Sequence, residues 1–334
     1  MKRILFGATA VATALLLAGC STPAAESDNA PAEPLGLKIG FQTNGGQTPP
    51  YVATEEGIFE ENGLDVERVE FQDATSMIAA LERGDVDMIS TIPGGPLAAR
   101  GAGFDLKAVI QNEAAKYEAP DSGTIIVQED STIETLDDLE GATIGIAGGV
   151  KGQLTAGAMW AMQEDGIDTA SMTFVDAPFP THLDMLKSKQ VDAVITIDPF
   201  TTSILQSGVG RVLDYPYLMS NPGQPLSAWW APGEWIDENP DLVKMFRDSL
   251  KASIDWLYEE EDRARETVAE FTGLDPALVA EMPLNNWSYN VDEPAWEKNI
   301  EILVAMEALP ETQDLDDIFI DAMKDDVAES ALGR

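Results

Sequence analysis

The chain of 334 residues carries 59 acidic and 20 basic side chains, which gives a formal net charge of −39 at pH 7. This acidic excess excludes nucleic acid as a partner, because phosphate contacts require a basic surface. With one cysteine and one histidine, the chain can form no internal disulfide and no histidine-rich metal site. The length suffices for two lobes, each with its own hydrophobic core.

The N-terminal residues predict export. Lys2 and Arg3 supply a positive start, an apolar run follows, and Leu17-Ala18-Gly19-Cys20 forms a small-residue processing site. Residues 1–19 are therefore predicted to be a signal peptide. The processing site resembles the lipobox of bacterial lipoproteins, which implies that Cys20 is lipidated and anchors the mature protein to the outer face of the cell membrane. Residues 20–35, rich in Ser, Pro and Ala, are predicted to be a flexible tether.

Downstream of the tether, one sequence pattern occurs twice. Residues 37–41 recur as residues 142–146, and residues 61–65 recur as residues 164–168. The offset stays between 103 and 105 residues, so the pattern is a duplicated supersecondary unit. Two matched units predict two lobes with a cleft between them.

Each copy predicts strands that alternate with helices, an order typical of a parallel sheet with helices on both faces. In the first copy the predicted strands are 37–42, 66–71 and 86–91, and the predicted helices are 51–62 and 74–83. In the second copy the predicted strands are 142–147, 171–175 and 191–197, and the predicted helices are 152–165 and 179–189. Two further strands, 106–112 and 123–128, are predicted to cross between the lobes.

The last third of the chain has helical patterning. Asn239-Pro240 predicts a helix start, and apolar residues at helical spacing follow it to about residue 260. We expect this part to pack back on the first lobe. The predicted fold is therefore α/β with two lobes: residues 36–125 and the helical residues 233–334 form lobe 1, and residues 126–232 form lobe 2.

The candidate binding site follows from the strand ends, since ligands of open α/β sheets bind outside the carboxyl ends of the strands. Three of these ends carry the glycine pairs Gly45-Gly46, Gly94-Gly95 and Gly148-Gly149. Such glycines either let the backbone N–H groups approach an anion or simply make tight turns. Lys151, which follows the third pair, either binds an anion or lies exposed. The candidate ligand-binding residues are Gln42, Thr43, Asn44, Tyr51, Asp73, Ser90, Thr91, Gly94, Ser122, Gly149, Lys151, Gln153, Phe179, Asp198, Phe200 and Trp229.

Catalysis finds little support in the sequence. The single histidine, His182, begins a predicted helix without a nucleophile motif such as Gly-x-Ser-x-Gly, and we expect it at the surface. We therefore predict a protein that is not an enzyme and needs no cofactor or metal. Trp229 and Trp230 are adjacent; in a strand they would point to opposite faces, so we do not expect both to be buried.

Six segments, in the order in which they occur along the chain, resemble the solute-binding components of ABC importers in the nitrate/sulfonate/taurine group. These proteins have the type II periplasmic-binding-protein fold of the pyrimidine-synthase-like superfamily. The segments that carry the resemblance are Ile39–Gln42, Tyr51–Phe59, Asn62–Glu67, Ala80–Asp87, Leu136–Gly141 and Val191–Phe200.

The resemblance implies a monomeric protein that closes around a small solute and delivers it to a membrane permease. It leans towards sulfonate-, taurine- or nitrate-like solutes. A pyrimidine, a thiamine precursor or an aromatic carboxylate is the alternative solute, and an enzyme of the same fold is the alternative function. If Lys151 holds an acidic group, Asp198 or Asp73 can hold an amine, which would suit a zwitterion such as taurine.

Overall fold

The computed structural model describes residues 33–327. The predicted signal peptide, Cys20 and most of the predicted tether lie outside these residues. The strands are β1 (Leu35–Phe41), β2 (Leu64–Glu70), β3 (Met88–Thr91), β4 (Leu106–Ala114), β5 (Gly123–Gln128), β6 (Thr143–Ile146), β7 (Thr173–Asp176), β8 (Ala193–Ile197), β9 (Gly210–Asp214) and β10 (Pro225–Pro232).

Helices cover the faces of the sheets and make up most of the C-terminal third. They are α1 (Thr48–Glu55), α2 (Ile58–Glu61), α3 (Ala74–Arg83), α4 (Gly94–Gly101), α5 (Gln153–Glu164), α6 (His182–Lys187), α7 (Phe200–Gln206), α8 (Pro216–Ser220), α9 (Gly233–Glu238), α10 (Pro240–Glu259), α11 (Glu261–Thr272), α12 (Pro276–Glu281), α13 (Glu293–Ala305), α14 (Leu315–Ile318) and α15 (Asp321–Lys324).

The strands form two five-stranded sheets with the same layout. Their orders are β2-β1-β3-β10-β4 in the first lobe and β7-β6-β8-β5-β9 in the second. In each sheet the first three strands are parallel, and the fourth runs antiparallel to its neighbours on both sides. The repeated sequence pattern thus produces a repeated sheet, and the predicted two-lobed α/β fold is confirmed.

The chain crosses between the lobes twice. The first crossing segment, residues 115–122, links β4 to β5, and the second crossing segment, residues 215–224, links β9 to β10. Strand β10 pairs with β3 and β4 of the first sheet, so the expected boundary at residue 232 is wrong by the length of this strand. The segments expected to cross between the lobes, 106–112 and 123–128, belong to one sheet each.

The C-terminal helices pack on the first sheet, as expected. Phe246 of α10 contacts Trp229 of β10 edge to face, with ring centroids 4.9 Å apart, and lies 5.9 Å from the ring of Phe59. On the opposite face of the sheet, Trp230 lies 6.2 Å from Trp296 of α13. Because helices cover both faces, Trp229 and Trp230 are both fully buried, and the expectation that one of them is exposed is wrong.

His182 is also buried, although we expected it at the surface. Its Nε2 lies 3.1 Å from the Ala177 carbonyl, and burial lowers the pKa of the imidazole. The N-terminus of α6 is covered by Phe179, whose ring packs edge to face on the imidazole at 5.5 Å. No helix within residues 33–327 combines the length and the apolar character needed to span a bilayer.

Candidate functional site between the lobes

Residues at the start of α5 reach from the second lobe to the first. Helix α5 of the second lobe contacts α13 of the first. The Gln153 amide, at the start of α5, donates to the Pro225 carbonyl (2.9 Å) and to Gln224 Oε1 (3.3 Å). Asn299 of α13 approaches Gln153 Oε1 at 3.5 Å. Since Gln153 is only 6% exposed, these hydrogen bonds hold the lobes together in a region shielded from water.

Lys151 reaches the first lobe as well. Its Nζ donates to the Glu307 carbonyl (2.8 Å) and lies 3.7 Å from the Glu307 carboxylate. The side chains of both residues are more than half exposed, so the pair contributes little stability. Lys151 is thus exposed and makes its polar contacts with Glu307, and its role in binding an anion stays a prediction.

We expect Gln153→Ala to favour separation of the lobes. The substitution removes two buried hydrogen bonds to the second crossing segment and β10, and about 1.4 kcal/mol shifts an equilibrium tenfold. Small-angle X-ray scattering of the purified protein should therefore give a larger radius of gyration. Lys151→Ala is the matched control, because its exposed contacts are worth less than about 1 kcal/mol. Identical scattering from Gln153→Ala and the wild type would contradict this role.

A cavity of about 510 Å³ lies against the crossing segments. Its walls come from the first crossing segment (Asp121), from the second lobe (Thr124 and Asp198) and from the first lobe (Arg265 and Met282). This volume falls in the range of about 300–1,000 Å³ that is usual for small-molecule sites.

The two carboxylate oxygens of Asp121 have different surroundings. Its Oδ1 accepts hydrogen bonds from the backbone N–H groups of Ser122 (2.9 Å) and Lys116 (3.3 Å). Its buried Oδ2 has no hydrogen-bond partner within the described part of the chain. Burial raises the pKa of this carboxyl, and the two backbone donors oppose that rise.

Asp198 repeats this arrangement on the second lobe. Its Oδ1 accepts from the Thr202 backbone N–H (3.0 Å) and hydroxyl (2.6 Å), which ties the carboxylate to the first turn of α7. Its Oδ2 is buried and, among residues 33–327, has no partner. Burial raises the pKa of this carboxyl too. Two carboxylates that line the same cavity therefore each have an unused acceptor.

Two cations lie near these carboxylates. Lys116 attracts both Asp121 and Asp198, and burial lowers the pKa of its ammonium group. Arg265 is engaged elsewhere: Nε and Nη2 donate to Glu261, and Nη1 donates to two backbone carbonyls.

Glu113 adds a third buried carboxyl group at the end of β4. It is 8% exposed, its Oε1 accepts a hydrogen bond from Asn285 (2.6 Å), and burial raises its pKa to about 7. A Cβ on Gly46 would collide with the Glu113 carboxylate. The glycine at position 46 thus allows the loop after β1 to approach this acid closely.

The structure brings five of the predicted site residues to the region between the lobes. Ser122 lies in the first crossing segment, and its carbonyl accepts from the Asp198 N–H (3.0 Å). Asp198 lines the cavity. Gln153 and Lys151 make the contacts described above, and a Cβ on Gly94 would lie 3.8 Å from Gln153 Oε1.

Other predicted residues stand at strand ends with their polar groups used locally. Asn44 accepts from the Gly46 N–H (3.0 Å), and Gln42 donates to the Gln72 carbonyl (3.0 Å). Thr43 is half-buried beside them.

On β3, Ser90 and Thr91 are buried, and the Ser90 hydroxyl has no partner among the described residues. Gly149 has a positive φ of 76°, so it makes a turn that favours glycine. Phe179 and Phe200 stack on each other with centroids 5.9 Å apart in the second lobe.

Three predicted residues lie away from this cavity and make contacts within the first lobe. Tyr51 packs on Phe271 with ring centroids 4.9 Å apart. Asp73 is exposed and caps α3 through the Ser76 N–H (2.8 Å). Trp229 lies in the core of the first lobe. None of the three lines the cavity.

Sequence reasoning missed several groups at or near the cavity: Lys116, Asp121, Thr124, Tyr215 and Arg265. Lys116 and Asp121 lie in a short segment between two predicted strands. Their position in this segment is the feature of the sequence that could have identified them. A segment that joins two lobes contributes side chains to the space between them. Burial of the two charged residues, however, is set by both lobes together and has no local signature.

Two sheets of this order, joined by two crossing segments, define the type II periplasmic-binding-protein fold. The solved periplasmic aliphatic sulphonate-binding protein SsuA from Escherichia coli shares it with a TM-score of 0.72 at 20% identity, over 86% of this chain and 97% of that chain. The solved desulfurization enzyme DSZB shares it with a TM-score of 0.65 at 16% identity, over 87% of this chain and 98% of that chain. At these identities the likeness shows the fold alone.

The sequence comparisons give the family. A Brucella abortus protein named as a binding protein is 25% identical over 300 residues, which cover 88% of this chain and 86% of that protein. The profile of the family described as NMT1/THI5 like matches residues 44–264. The chain belongs to this NMT1/THI5-like family.

Proposed function

We propose that the protein is an extracytoplasmic solute-binding lipoprotein of an ABC importer. It captures a small sulfonate-, taurine- or nitrate-like solute between the lobes and delivers it to a membrane permease. The observation that carries this proposal is the cavity of about 510 Å³ whose walls come from both lobes and a crossing segment. A solute that contacts both lobes at once favours the closed arrangement over the open one, so binding drives hinge closure.

The similarities support the same role. The Escherichia coli structural neighbour is named for sulphonate binding, and the Brucella abortus relative is named as a binding protein. Binding without turnover also agrees with the position of His182, the single histidine of the chain. Because its ring is buried in the second lobe and contacts the Ala177 carbonyl, it is not available as a general base for a solute in the cavity.

In this proposal, lipidated Cys20 holds the protein at the cell membrane and residues 20–35 act as the tether. The folded body works as a monomer. Its first lobe consists of residues 36–114 and 225–327, and its second lobe consists of residues 123–214. The lobes rotate about the two crossing segments.

The proposal is tested by thermal unfolding against a panel of alkanesulfonates, taurine, nitrate, carboxylates and pyrimidines. A solute at 100 times its dissociation constant adds about 2.7 kcal/mol to the free energy of unfolding. We expect a shift with the sulfonate, taurine or nitrate members. A shift with pyrimidines or aromatic carboxylates alone would keep the binding role and replace the solute class. Folded protein shown to be free of bound solute that responds to no member would contradict the proposal.

A further inference from the structure

The protein holds only one of the two side-chain oxygens of Glu113, at the carboxyl end of β4. Oε1 accepts a hydrogen bond from Asn285 (2.6 Å), whereas Oε2 has no hydrogen-bond partner in residues 33–327. The side chain is 8% exposed, and Oε2 is not completely enclosed by protein, in contrast to the Oδ2 atoms of Asp121 and Asp198. This oxygen is therefore open to a molecule at the strand ends, where ligands of α/β sheets bind.

The glycine pair Gly45-Gly46, in the loop after β1, keeps the space beside Glu113 open. A Cβ on Gly46 would collide with Oε2 of Glu113, and a Cβ on Gly45 would collide with Oδ1 of Asn285. Neither glycine has a positive φ, so the turn itself does not require glycine at these positions. The close approach of the hydrogen-bonded Glu113–Asn285 pair explains why both positions lack a side chain.

The donors around Glu113 are used elsewhere or do not reach it. The N–H groups of Gly46 and Gln47 both donate to Asn44. The Asn112 amide donates to the Gly46 carbonyl (2.6 Å). Lys116 attracts Glu113 but forms no ion pair with it among the described residues. Apart from the hydrogen bond on Oε1, the protein therefore leaves this carboxyl group without a donor.

The surroundings of Glu113 favour its neutral form near pH 7. Burial raises its pKa to about 7, the hydrogen bond from Asn285 and the charge of Lys116 oppose this rise, and the charge of Asp121 adds to it. Tyr217 of the second crossing segment also faces Glu113, and burial raises the pKa of its phenol, so it stays uncharged. Residues 44–48, β10 and residues 282–288 contribute no titratable side chain.

The hydrogen bond from Asn285 decides which oxygen of Glu113 carries the proton. Because Oε1 accepts from the amide, the proton of the neutral carboxyl lies on Oε2. The neutral group then offers an O–H donor on its open side, which suits an acceptor such as a sulfonate or nitrate oxygen. The ionised group offers no donor and repels an anion.

We propose that Glu113 binds the solute through a proton on Oε2, so that capture of an anionic solute above pH 7 takes up one proton from the solvent. This inference rests on the proposed function and adds to it a binding residue and a dependence on pH. Protonation must precede or accompany binding, because the anion and the ionised carboxylate exclude each other. Binding is therefore tightest below pH 7 and weakens as the pH rises through this value.

The test is isothermal titration of ethanesulfonate, taurine and nitrate into the purified protein at pH 6 and pH 8. None of these solutes changes its charge appreciably in this range, so a change in affinity comes from the protein. Titration of Glu113 near pH 7 predicts about 10-fold weaker binding at pH 8 than at pH 6. At pH 8, titrations in two buffers of different ionisation enthalpy should give an uptake of about one proton per solute bound.

Two variants of Glu113 separate its proton from its shape. Glu113→Gln offers an amide N–H in place of the O–H and keeps the acceptor for Asn285, so it should bind equally at both pH values and without proton uptake. At pH 8 it should bind about 10-fold tighter than the wild type. Glu113→Met removes the donor and should weaken binding at pH 6 about 10-fold or more. Glu129→Gln, at an exposed position, is the matched control and should keep the pH dependence of the wild type.

The remaining outcomes distinguish this inference from the proposed function. If a solute binds equally at pH 6 and pH 8, or if Glu113→Gln keeps the pH dependence, the inference is wrong while the solute-binding role stands. If Asp121→Asn removes the pH dependence and Glu113→Gln does not, the proton is bound at Asp121 and the inference is again wrong. If none of the three solutes binds at either pH, the inference and the proposed solute class fail together.

Discussion

Arg247→Ala is expected to lower the free energy of unfolding by about 3–5 kcal/mol, the usual cost of breaking a buried ion pair. Arg247 is 5% exposed and lies 2.8 Å from the Asp326 carboxylate, which is 8% exposed. It also donates to the carbonyls of Val109 and Ala322. One guanidinium thus joins α10 to β4 and to the C-terminal end of the described chain, and its loss leaves three acceptors with fewer donors.

Urea unfolding with linear extrapolation measures this loss. Lys244→Ala is the matched control, because Lys244 lies one turn earlier on α10 and pairs only on the surface, with Asp248. We expect the control to change stability by less than about 1 kcal/mol. A loss below about 1 kcal/mol for Arg247→Ala would show that this network does not hold the C-terminal section on the first lobe.

Glu113→Gln is expected to stabilise the protein at neutral and higher pH, and the gain should depend on pH. Burial raises the pKa of Glu113 from 4.5 to about 7, with Asp121 adding to the rise and Asn285 and Lys116 opposing it. The folded state therefore holds this proton more tightly than the unfolded state. Its stabilising contribution is complete below pH 4.5 and is lost as the pH rises towards 7.

The glutamine variant does not lose stability as the pH rises, because its side chain carries no charge. It also keeps the oxygen that accepts the hydrogen bond from Asn285. The difference in unfolding free energy between variant and wild type should be near zero at pH 4 and should reach up to about 3 kcal/mol above pH 7. Unfolding curves measured across this range test it. Glu129→Gln, at an exposed position after β5, should show no such trend. If the difference in unfolding free energy between Glu113→Gln and the wild type did not change with pH, the raised pKa of Glu113 would be wrong.

The sequence predicted the two-lobed fold because the duplicated pattern is local and the strand periodicity is strong. The predicted boundary of the second lobe, at residue 232, was too late. The sequence of an apolar strand such as β10 does not indicate which of the two sheets the strand joins. The rule that neighbouring strand residues face opposite sides was correct for Trp229 and Trp230. The inference of exposure failed because helices cover both faces of the first sheet.

The candidate site was predictable only in part. The position of Asp198 at a strand end and of Gln153 at the start of α5 indicated that both lie between the lobes, because the topology decides where these residues lie. The burial of Asp121 and Lys116 depends on how the lobes meet around the first crossing segment. The periodicity of the sequence contains no information about this packing. For Tyr51 the sequence left both a cavity wall and a core contact open, and in the structure its ring packs on Phe271.

Equilibrium dialysis of the purified protein with the solute that gives the largest thermal shift, followed by chemical analysis of the recovered solute, tests whether the protein binds a solute without converting it. We expect saturable binding of one solute molecule per chain and recovery of that solute unchanged. Appearance of a product would show an enzyme of the same fold. Absence of saturable binding would show that the cavity between the lobes is not a solute site.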